Sequence, residues 1–243
     1  MEKPMKILII IPAYNEQENI ENVIIHLSQT VPEADYVVID DCSTDHTQEI
    51  CRRNGFRYVS LPVNLGIGGG VQTGYLYAKE HDYDIAVQMD GDGQHDPKYL
   101  KAVIEPLCNN EADMVIGSRF LEKEGFQSSA MRRLGIKIIH GIIRVLCRAD
   151  IKDPTSGFRA TNKELTAFFS ENYAQDYPEP EAIIAAELSG FRVKEVPVVM
   201  NERLGGESSI GGLKSAYYMI KVTLALIICR MSYKRKKGRK NGQ

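Results

Sequence analysis

The 243-residue sequence predicts an α/β protein whose mostly parallel sheet is flanked by helices. Short apolar runs alternate with helical patterns from residue 5 to about residue 120. The connections between the apolar runs are long enough for the right-handed crossovers that join parallel strands. The first run, KILIII, is continuously apolar, as expected of a strand that is covered on both faces.

The predicted elements follow one another without an internal repeat or a low-complexity linker. Strands are predicted over Lys6–Ile11, Tyr36–Ile39, Arg57–Leu61, Asp84–Met89, Met114–Gly117 and Val193–Pro197. Helices are predicted over Glu16–Thr30, Thr44–Asn54, Gly70–His81, Pro97–Asn109, Ser128–Cys147, Asn162–Phe169 and Glu179–Leu188. We expect one domain over residues 1–212, with a nucleotide-binding half (1–120) and an acceptor-binding half (121–212). Residues 213–243 are expected to form an amphipathic helix and a polybasic tail.

Composition and charge exclude several classes of protein. A formal net charge of −2 provides no global field for binding nucleic acid. The five cysteines are scattered and lack C-x-x-C spacing, which favours reduced thiols over a disulfide framework or a zinc site. The apolar stretch near the N-terminus is too short for a signal peptide, so we expect a cytoplasmic protein.

Polar side chains follow the first two predicted strands. In an open parallel sheet, ligands bind outside the carboxyl ends of the strands. Tyr14 and Glu16 stand at such an end and would hold a base or a ribose, although taken alone an ordinary strand–helix turn explains them better. Asp40 and Asp41 end the second strand, where a carboxylate can accept hydrogen bonds from a base imide or from ribose hydroxyls. Helix capping does not explain two adjacent aspartates.

A glycine-rich stretch, NLGIGGGVQTG at residues 64–74, follows the third predicted strand. Its glycines would let the backbone approach a ligand closely, and the helix that begins there offers amide donors. The stretch lacks the Gly-Lys-Ser/Thr of a Walker loop and is not a G-x-G-x-x-G that opens the first strand–helix turn. Both an NTPase and a dinucleotide oxidoreductase are therefore disfavoured.

The stretch VQMDGDGQHDP at residues 87–97 places Asp90 and Asp92 directly after the fourth predicted strand. Hard oxygen donors without a nearby cysteine suit Mg²⁺ or Mn²⁺, which keep open positions for phosphate oxygens. An Asx-rich turn is the alternative for any single D-x-D. Because four consecutive strand ends converge on one rim, we prefer a metal that neutralises charge on a departing diphosphate.

These motifs in series resemble those of family 2 glycosyltransferases with the GT-A (Rossmann-like) fold, over about residues 5–210. The segments that carry the resemblance are 12–16 (PAYNE), 40–45 (DDCSTD), 64–66 (NLG), 90–95 (DGDGQH) and 117–119 (GSR). The later DPTSGFRA, residues 153–160, is similar to the subgroup of dolichol-phosphate mannose synthase and bacterial polyprenyl-phosphate glycosyltransferases.

The resemblance implies a role for each group of residues. Those expected to bind the nucleotide-sugar donor, a UDP- or GDP-sugar, are Pro12, Tyr14, Glu16, Asp40, Asp41, Gly66, Gly70 and Gln72. Those expected to hold Mg²⁺ or Mn²⁺ are Asp90, Asp92 and Gln94. Those expected to face the acceptor phosphate are Arg119, Arg132 or Arg133, Ser156, Arg159 and Arg203. The implied reaction is an inverting transfer to a polyprenyl (undecaprenyl) phosphate for cell-surface glycan synthesis.

Two departures and one insertion leave alternatives open. Many relatives carry an arginine or lysine where Gln72 falls, and often a lysine where Ser209 stands. Glu179 or Glu181, in the insertion QDYPEPEAI, would serve as general base for a hydroxyl acceptor, or would simply be charge at a helix N-terminus. Transfer to a sugar hydroxyl of a growing polysaccharide and a non-catalytic GT-A scaffold therefore stay as alternatives.

The C-terminal segment predicts contact with a membrane. Its apolar stretch of about 13 residues is shorter than the roughly 20 that span a bilayer. A following basic cluster, YKRKKGRK, is typical of peripheral binding to an anionic cytoplasmic leaflet. A buried helix with a solvated tail is the alternative. We expect the inner face of the cell membrane as the location, and an integral membrane protein as a possible partner that supplies an anchor.

Overall fold

The computed structural model describes residues 5–122, 130–201 and 212–233. Its strands are β1 (Ile7–Ala13), β2 (Asp35–Asp40), β3 (Tyr58–Ser60), β4 (Ile85–Gln88), β5 (Met114–Ser118), β6 (Arg159–Asn162) and β7 (Val193–Pro197). Its α-helices are α1 (Ile20–Thr30), α2 (Thr47–Arg53), α3 (Gly66–Glu80), α4 (Leu100–Cys108), α5 (Ala130–Cys147), α6 (Lys163–Glu171), α7 (Pro178–Ser189) and α8 (Gly212–Ser232). A short 3-10 turn, Pro97–Tyr99, precedes α4.

The seven strands form one sheet in the order β3-β2-β1-β4-β6-β5-β7. Strands β1 to β4 are mutually parallel, and β5 is parallel to β7. Only β6, among the described strands, runs antiparallel to its neighbours, β4 and β5. The predicted α/β class with a mostly parallel sheet is confirmed.

Strand β6 is the element that the sequence does not predict. Its four residues, Arg-Ala-Thr-Asn, contain one apolar side chain and show no apolar alternation, and both edges of the strand pair with strands that are distant in sequence. Val87 pairs with Ala160 on one side, and Val115 pairs with the same residue on the other. The last two residues of DPTSGFRA, Arg159 and Ala160, therefore lie in the sheet, and residues 153–158 form the largely buried turn that leads into it.

Two apolar clusters, one on each face of the sheet, form the core. Leu8 and Ile10 belong to the cluster under α3, α6 and α7, while Ile9 and Ile11 belong to the cluster under α1 and α4. All four side chains are fully buried, and each contributes about 1.5–3 kcal/mol relative to exposure. The continuous apolar run of β1 thus reflects a strand covered on both sides, as predicted.

Two helices, α1 and α3, begin four residues away from their predicted starts. Helix α1 starts at Ile20 rather than Glu16, because Asn15 adopts φ 57° and separates the strand from the helix. Helix α3 starts at Gly66 rather than Gly70, so the glycine run lies in its first turn.

The C-terminal helix α8 packs against α5 and α7. Within the described ranges, no helix is long and apolar enough to cross a membrane.

Candidate functional site

The loops that follow β1 and β2 are joined into one unit by side-chain hydrogen bonds. The backbone N–H of Asn15 donates to Ser43 Oγ at 3.0 Å, and Asn15 Oδ1 accepts from the backbone N–H of Thr44 at 2.8 Å. The backbone N–H of Glu16 donates to Thr47 Oγ1 at 2.8 Å. Tyr14 lies half-exposed on this unit, at the open edge of the sheet.

Asp40 and Asp41 are buried at the end of β2 and are held by neutral donors. Asp40 accepts hydrogen bonds from Ser60 Oγ at 2.9 Å and from the backbone N–H of Ser43 at 3.2 Å. Asp41 Oδ1 accepts from the backbone N–H of Leu65 at 2.7 Å, which ties the β2 loop to the start of α3. The two aspartates therefore fix the positions of the loops that surround them.

Two glycines of α3 make room for protein rather than for ligand. A Cβ on Gly68 would lie 2.4 Å from the carbonyl oxygen of Ala174, and one on Gly69 would lie 2.4 Å from Leu65 Cβ. Gly66, with φ 75°, has nothing within 4 Å of its Cβ position, and it adjoins the open edge of the sheet. Of these three glycines, only Gly66 leaves space for the close ligand approach that the sequence predicts.

Pro12 and Gln72, two residues predicted to bind the donor, both have contacts within the protein. The Pro12 side chain lies 3.8 Å from the Cβ position of Gly70, so the end of β1 packs on the start of α3. The amide of Gln72 has protein partners at both ends: Nε2 donates to the carbonyl of Ser170 at 3.2 Å, and Oε1 accepts from Gln175 Nε2 at 2.8 Å. The contact predicted between Gln72 and the donor stays a prediction.

The Asp90–Gln94 loop continues directly from β4. The Asp90 side chain is about one-third exposed, whereas Asp92 is buried and accepts the backbone N–H of Gln94 at 3.0 Å. A Cβ on Gly91 would lie 3.3 Å from the carbonyl oxygen of Pro12 and 3.7 Å from Glu16 Cγ. The loop after β4 therefore packs against the loop after β1, as convergence at one rim requires.

The donor set of this loop fits a metal ion that is shared with a substrate. No group of three or more His, Cys, Asp or Glu side chains in the described part of the chain could hold a metal. Asp90, Asp92 and Gln94 offer hard oxygen atoms, and Mg²⁺ or Mn²⁺ is commonly bound by one or two carboxylates together with substrate phosphates and water. The loop is thus suited to a metal that is completed by a diphosphate.

Arg119 forms a buried ion pair with Asp153, a residue that the sequence reading did not single out. Nε and Nη2 of Arg119 donate to the two oxygens of Asp153, each at 2.7 Å, and Nη2 also donates to Thr155 Oγ1 at 3.1 Å. Both charged side chains are buried. Arg119 therefore joins β5 to the segment before β6, and its predicted contact with an acceptor phosphate stays a prediction.

Two more predicted acceptor residues are internal. Arg159 is 1% exposed and donates to the carbonyl oxygens of Ser156, Glu179 and Pro154 at 2.6, 2.6 and 2.9 Å. Ser156 Oγ donates to the carbonyl of Gly117 at 2.6 Å. These bonds favour a structural role for both side chains. Contact with an acceptor stays a prediction for them.

The remaining predicted acceptor residues lie on or beyond α5. Arg133 is exposed on that helix. The side chain of Arg132 and the whole of Arg203 lie outside the described residues. The geometry of a phosphate contact from these arginines therefore stays a prediction as well.

The two candidate bases, Glu179 and Glu181, point to different surroundings. Removal from water raises the pKa of Glu179, the charge of Asp90 raises it further, and Arg159 opposes both. Removal from water also raises the pKa of Glu181, but this side chain lines a cavity of about 280 Å³ together with Cys229 of α8. Only Glu179 lies within electrostatic reach of the Asp90 loop.

Strand β6 and the turn before it form one wall of the candidate site. The sequence predicted Ser156 and Arg159 of this segment as acceptor residues, but it did not predict the strand or the contact with Asp90. Gly157 backs Asp90, since a Cβ there would lie 2.8 and 3.0 Å from the two carboxylate oxygens. His95 accepts the backbone N–H of Asp90 on Nδ1 at 3.0 Å. The DPTSGFRA motif was the available signal, but its pairing with β4 joins residues about 70 positions apart.

Comparison with known proteins identifies the family of the chain. The family model described as glycosyl transferase family 2 matches residues 8–168. An undecaprenyl-phosphate mannosyltransferase of Micrococcus luteus is 32% identical over 220 residues, which cover 86% of this chain and 88% of the relative. A UDP-N-acetylglucosamine–dolichyl-phosphate N-acetylglucosaminyltransferase of Methanococcus voltae is 31% identical, covering 79% of this chain and 84% of the relative.

The fold also matches that of a solved enzyme. The structure of glucosyl-3-phosphoglycerate synthase from Mycobacterium tuberculosis, in complex with Mn²⁺, UDP-glucose and phosphoglyceric acid, superposes with a TM-score of 0.71 at 22% identity. The match covers 98% of this chain and 82% of that one. This likeness supports the fold, and the family model supports the activity class. The chain belongs to glycosyl transferase family 2 and is a glycosyltransferase with a GT-A-like α/β fold.

Proposed function

We propose that this glycosyltransferase transfers a sugar from a UDP- or GDP-sugar to a polyprenyl phosphate such as undecaprenyl phosphate, with inversion and with Mg²⁺ or Mn²⁺. The observation that carries the proposal is the convergence of Glu16, Asp41, Asp90 and Asp92 on one edge of the sheet. These carboxylates lie near the glycine at the N-terminus of α3. Together they suit a nucleoside diphosphate that binds with a divalent cation.

Different residues of the rim would bind different parts of the nucleotide-sugar donor. Asp41 and Glu16 lie beside the nucleoside end, where carboxylates accept hydrogen bonds from a base imide or ribose hydroxyls. Asp90, Asp92 and Gln94 lie where they would hold the metal against the diphosphate. Bound there, the metal neutralises the charge that develops on the departing nucleoside diphosphate. The protein's own contribution is to keep these oxygens fixed before the donor arrives.

A phosphate acceptor needs no general base, because it is already anionic near neutral pH. Its oxygen needs only to be held in line behind the anomeric carbon. The relatives support this acceptor class: one is named for undecaprenyl phosphate and another for dolichyl phosphate. They differ in the sugar that their names give, mannose or N-acetylglucosamine, so both donors enter the test below.

A second candidate, transfer to a sugar hydroxyl, is favoured by Glu179. A carboxyl group whose pKa is raised by removal from water, beside a metal-binding loop, is typical of a general base. We rank this candidate second because the acceptors named in the relatives are lipid phosphates. Metal-dependent transfer in the assay below would also speak against the non-catalytic scaffold that the sequence left open.

The proposed site of action is the inner face of the cell membrane, reached through α5 and α8. Segments 130–147 and 212–243 hold 13 of the 30 Lys and Arg residues and none of the 32 Asp and Glu residues. Exposed apolar side chains line the outer faces of both helices: Leu134, Ile138, Val145, Ile220, Leu224, Ile227, Ile228 and Met231. Apolar and basic side chains without acidic ones suit an anionic lipid surface. We also propose an integral membrane partner, which would hold the enzyme near its lipid-linked acceptor.

The transfer assay uses the full chain with Mn²⁺, undecaprenyl phosphate and radiolabelled UDP-glucose, UDP-N-acetylglucosamine or GDP-mannose. We expect label to enter the organic phase with one donor and EDTA to abolish this. The control acceptor is undecaprenol, which has the same chain without the phosphate and should accept no sugar. Label that stays in the aqueous phase with every donor, or that moves equally onto undecaprenol, contradicts the proposal.

Vesicle sedimentation tests the membrane surface. We expect the full chain to sediment with vesicles that contain phosphatidylglycerol and less with pure phosphatidylcholine, because the surface is basic. Leu224→Glu on α8 should weaken sedimentation, since Leu224 is 54% exposed on the proposed face. Ile25→Glu on α1, where Ile25 is 43% exposed, is the matched control and should sediment like the unaltered chain. Equal sedimentation of the two variants contradicts the assignment of this face.

A further inference from the structure

Asp90 is held from more than one side by residues that do not themselves reach the rim. Its backbone N–H donates to His95 Nδ1 at 3.0 Å, and its carboxylate oxygen Oδ2 lies 3.8 Å from His95 Nε2. Gln88 Nε2 donates to Asp90 Oδ1 at 3.3 Å. The carboxylate itself is about one-third exposed and faces outwards. Its orientation is therefore set by contacts from behind.

The hydrogen bond to Nδ1 decides which nitrogen of His95 carries the proton. Because Nδ1 accepts the Asp90 N–H, the neutral ring carries its proton on Nε2, on the side that faces Asp90 Oδ2. The ring is 6% exposed and stacks on Phe158, with centroids 5.2 Å apart and planes 16° apart. One buried imidazole thus accepts a hydrogen bond from the Asp90 backbone and also lies beside the Asp90 carboxylate.

Gly157 closes the space behind the same carboxylate. A Cβ at this position would lie 2.8 Å from Asp90 Oδ2, 3.0 Å from Oδ1 and 3.1 Å from Gln88 Nε2. Contacts below 3.0 Å force one partner to move, and here the partner that moves is the carboxylate. The absence of a side chain at Gly157 therefore lets the backbone approach Asp90 closely, and the next residue, Phe158, supports His95.

We infer that His95 and Gly157 are positioning residues for the metal: together they hold the Asp90 carboxylate in the orientation that binds the metal–diphosphate. The inference rests on the proposed metal-dependent function and extends it to residues of the DPTSGFRA turn and of the loop after β4. Groups that orient a metal ligand without touching the metal commonly change metal affinity by roughly 10–100-fold when replaced. An effect in that range separates positioning from a merely structural contribution.

Mn²⁺ affinity in the presence of UDP, measured from the free-ion electron paramagnetic resonance signal, tests the inference without relying on transfer. We expect His95→Ala to weaken Mn²⁺ binding by roughly 10-fold or more. His95→Asn should recover part of the loss, because its amide oxygen can accept the Asp90 N–H. His26→Ala is the matched control, since His26 lines the same cavity of about 250 Å³ as His95 and should bind like the unaltered chain.

Gly157→Ala provides an independent arm, because its added methyl group would displace the Asp90 carboxylate. We expect a loss of Mn²⁺ affinity similar to that of His95→Ala. Gly141→Ala, a glycine with nothing within 4 Å of its Cβ position, is the matched control. The midpoint of thermal unfolding shows which variants are folded, and if one test variant is unfolded the other decides.

Two outcomes distinguish the inference from the function on which it rests. If Asp90→Asn removes Mn²⁺ binding while folded His95→Ala and Gly157→Ala bind like the unaltered chain, the positioning role is wrong and the metal site stands. If Asp90→Asn itself binds Mn²⁺ and UDP like the unaltered chain, the metal-dependent function fails, and the positioning role fails with it.

Discussion

At the amino ends of the strands, carboxylates pair with arginines of the protein itself, whereas at the carboxyl ends several are held by neutral donors. Asp35, at the start of β2, lies 3.2 Å from Arg57. Asp113, just before β5, accepts from Arg192 Nε at 3.1 Å. Burial works to raise the pKa of Asp113, but hydrogen bonds from Arg192 and its charge outweigh this and lower the pKa. The charges of Asp35 and Asp113 are thus compensated by arginines of the protein itself.

The carboxyl ends show the opposite arrangement. Asp40 is held by Ser60 and a backbone N–H, Asp41 by the N–H of Leu65, and Asp90 by Gln88 and a neutral His95. Within the described ranges, no Lys or Arg side chain forms an ion pair with these three aspartates. Negative charge is therefore left for a cation that comes from outside the chain. The difference teaches where to look for a ligand: at the end where carboxylates are oriented but not neutralised.

Asp153 sharpens this comparison, because it lies near the carboxyl end of β5 yet is paired with Arg119. We predict that Asp153→Asn lowers the free energy of unfolding by about 3–5 kcal/mol, since it leaves a buried guanidinium uncompensated. Urea denaturation measures the change. Asp150→Asn is the control: Asp150 is 64% exposed, and its loss should change stability by no more than about 0.5 kcal/mol. Equal stability of the two variants would show that the buried pair is not structural.

Stabilisation of the fold by Mn²⁺ with UDP should depend on residues at the carboxyl ends of the strands and not on residues at the amino ends. We predict that Mn²⁺ with UDP, at about 100 times its Kd, raises the free energy of unfolding by about 2.7 kcal/mol. Asp90→Asn should abolish this gain, because it removes a carboxylate from the proposed metal site. Asp35→Asn, at the amino end, should keep it. Thermal shift measurements with and without ligand check the prediction, and a gain that survives in Asp90→Asn contradicts it.

Arg192→Gln should cost stability at the amino end without affecting ligand binding. The pair is partly exposed, so we predict a loss of roughly 1 kcal/mol at pH 7. Because the pKa of Asp113 is lower in the folded state, the pair stabilises the protein above the unfolded pKa of about 3.9, and this contribution disappears as the pH falls through the folded pKa.

Urea midpoints of the unaltered chain and Arg192→Gln, measured between neutral and acid pH, should therefore converge at low pH. Arg52→Gln is the control, since Arg52 is exposed on α2 and forms no ion pair with a described residue. A difference between the unaltered chain and Arg192→Gln that grows on acidification would contradict the sign.

Sequence reasoning found the rim because each strand end is a local signal. A continuous apolar run followed by aspartates, as in β2 and β4, needs only neighbouring residues to be recognised. The roles of Arg119 and Arg159 were not predictable in the same way, because a guanidinium binds a phosphate and a protein carboxylate or carbonyl with the same N–H groups. Asp153 is 34 positions from Arg119, and only the fold brings them together.

Strand β6 and the packing of α3 could not be predicted for the same physical reason: both depend on contacts between segments that are distant in sequence. The residues Arg159–Asn162 form a strand because β4 and β5 lie on either side, and their own propensity does not require it. At Gly68 only glycine fits, because the backbone of Ala174 approaches it closely. The glycine-rich sequence around Gly68 is equally typical of a ligand-binding loop. Local patterns thus predicted which strand ends meet at one edge of the sheet, and contacts between distant segments determine which other residues surround that edge.

Glu179 gives the smallest change in stability and the sharpest test of the acceptor. Since its pKa is raised in the folded state, the ionised carboxylate destabilises the protein as the pH rises above the unfolded value of about 4.3. Glu179→Gln should therefore be slightly more stable at neutral pH, and this gain should disappear below about pH 4.3. Glu80→Gln, at an exposed position at the end of α3, should show neither effect. With undecaprenyl phosphate, we predict that Glu179→Gln still transfers sugar, because a phosphate acceptor brings its own negative charge. Loss of transfer to undecaprenyl phosphate by ~10²–10⁴-fold, the range for removal of a general base, would contradict this prediction and show that the reaction needs the Glu179 carboxylate.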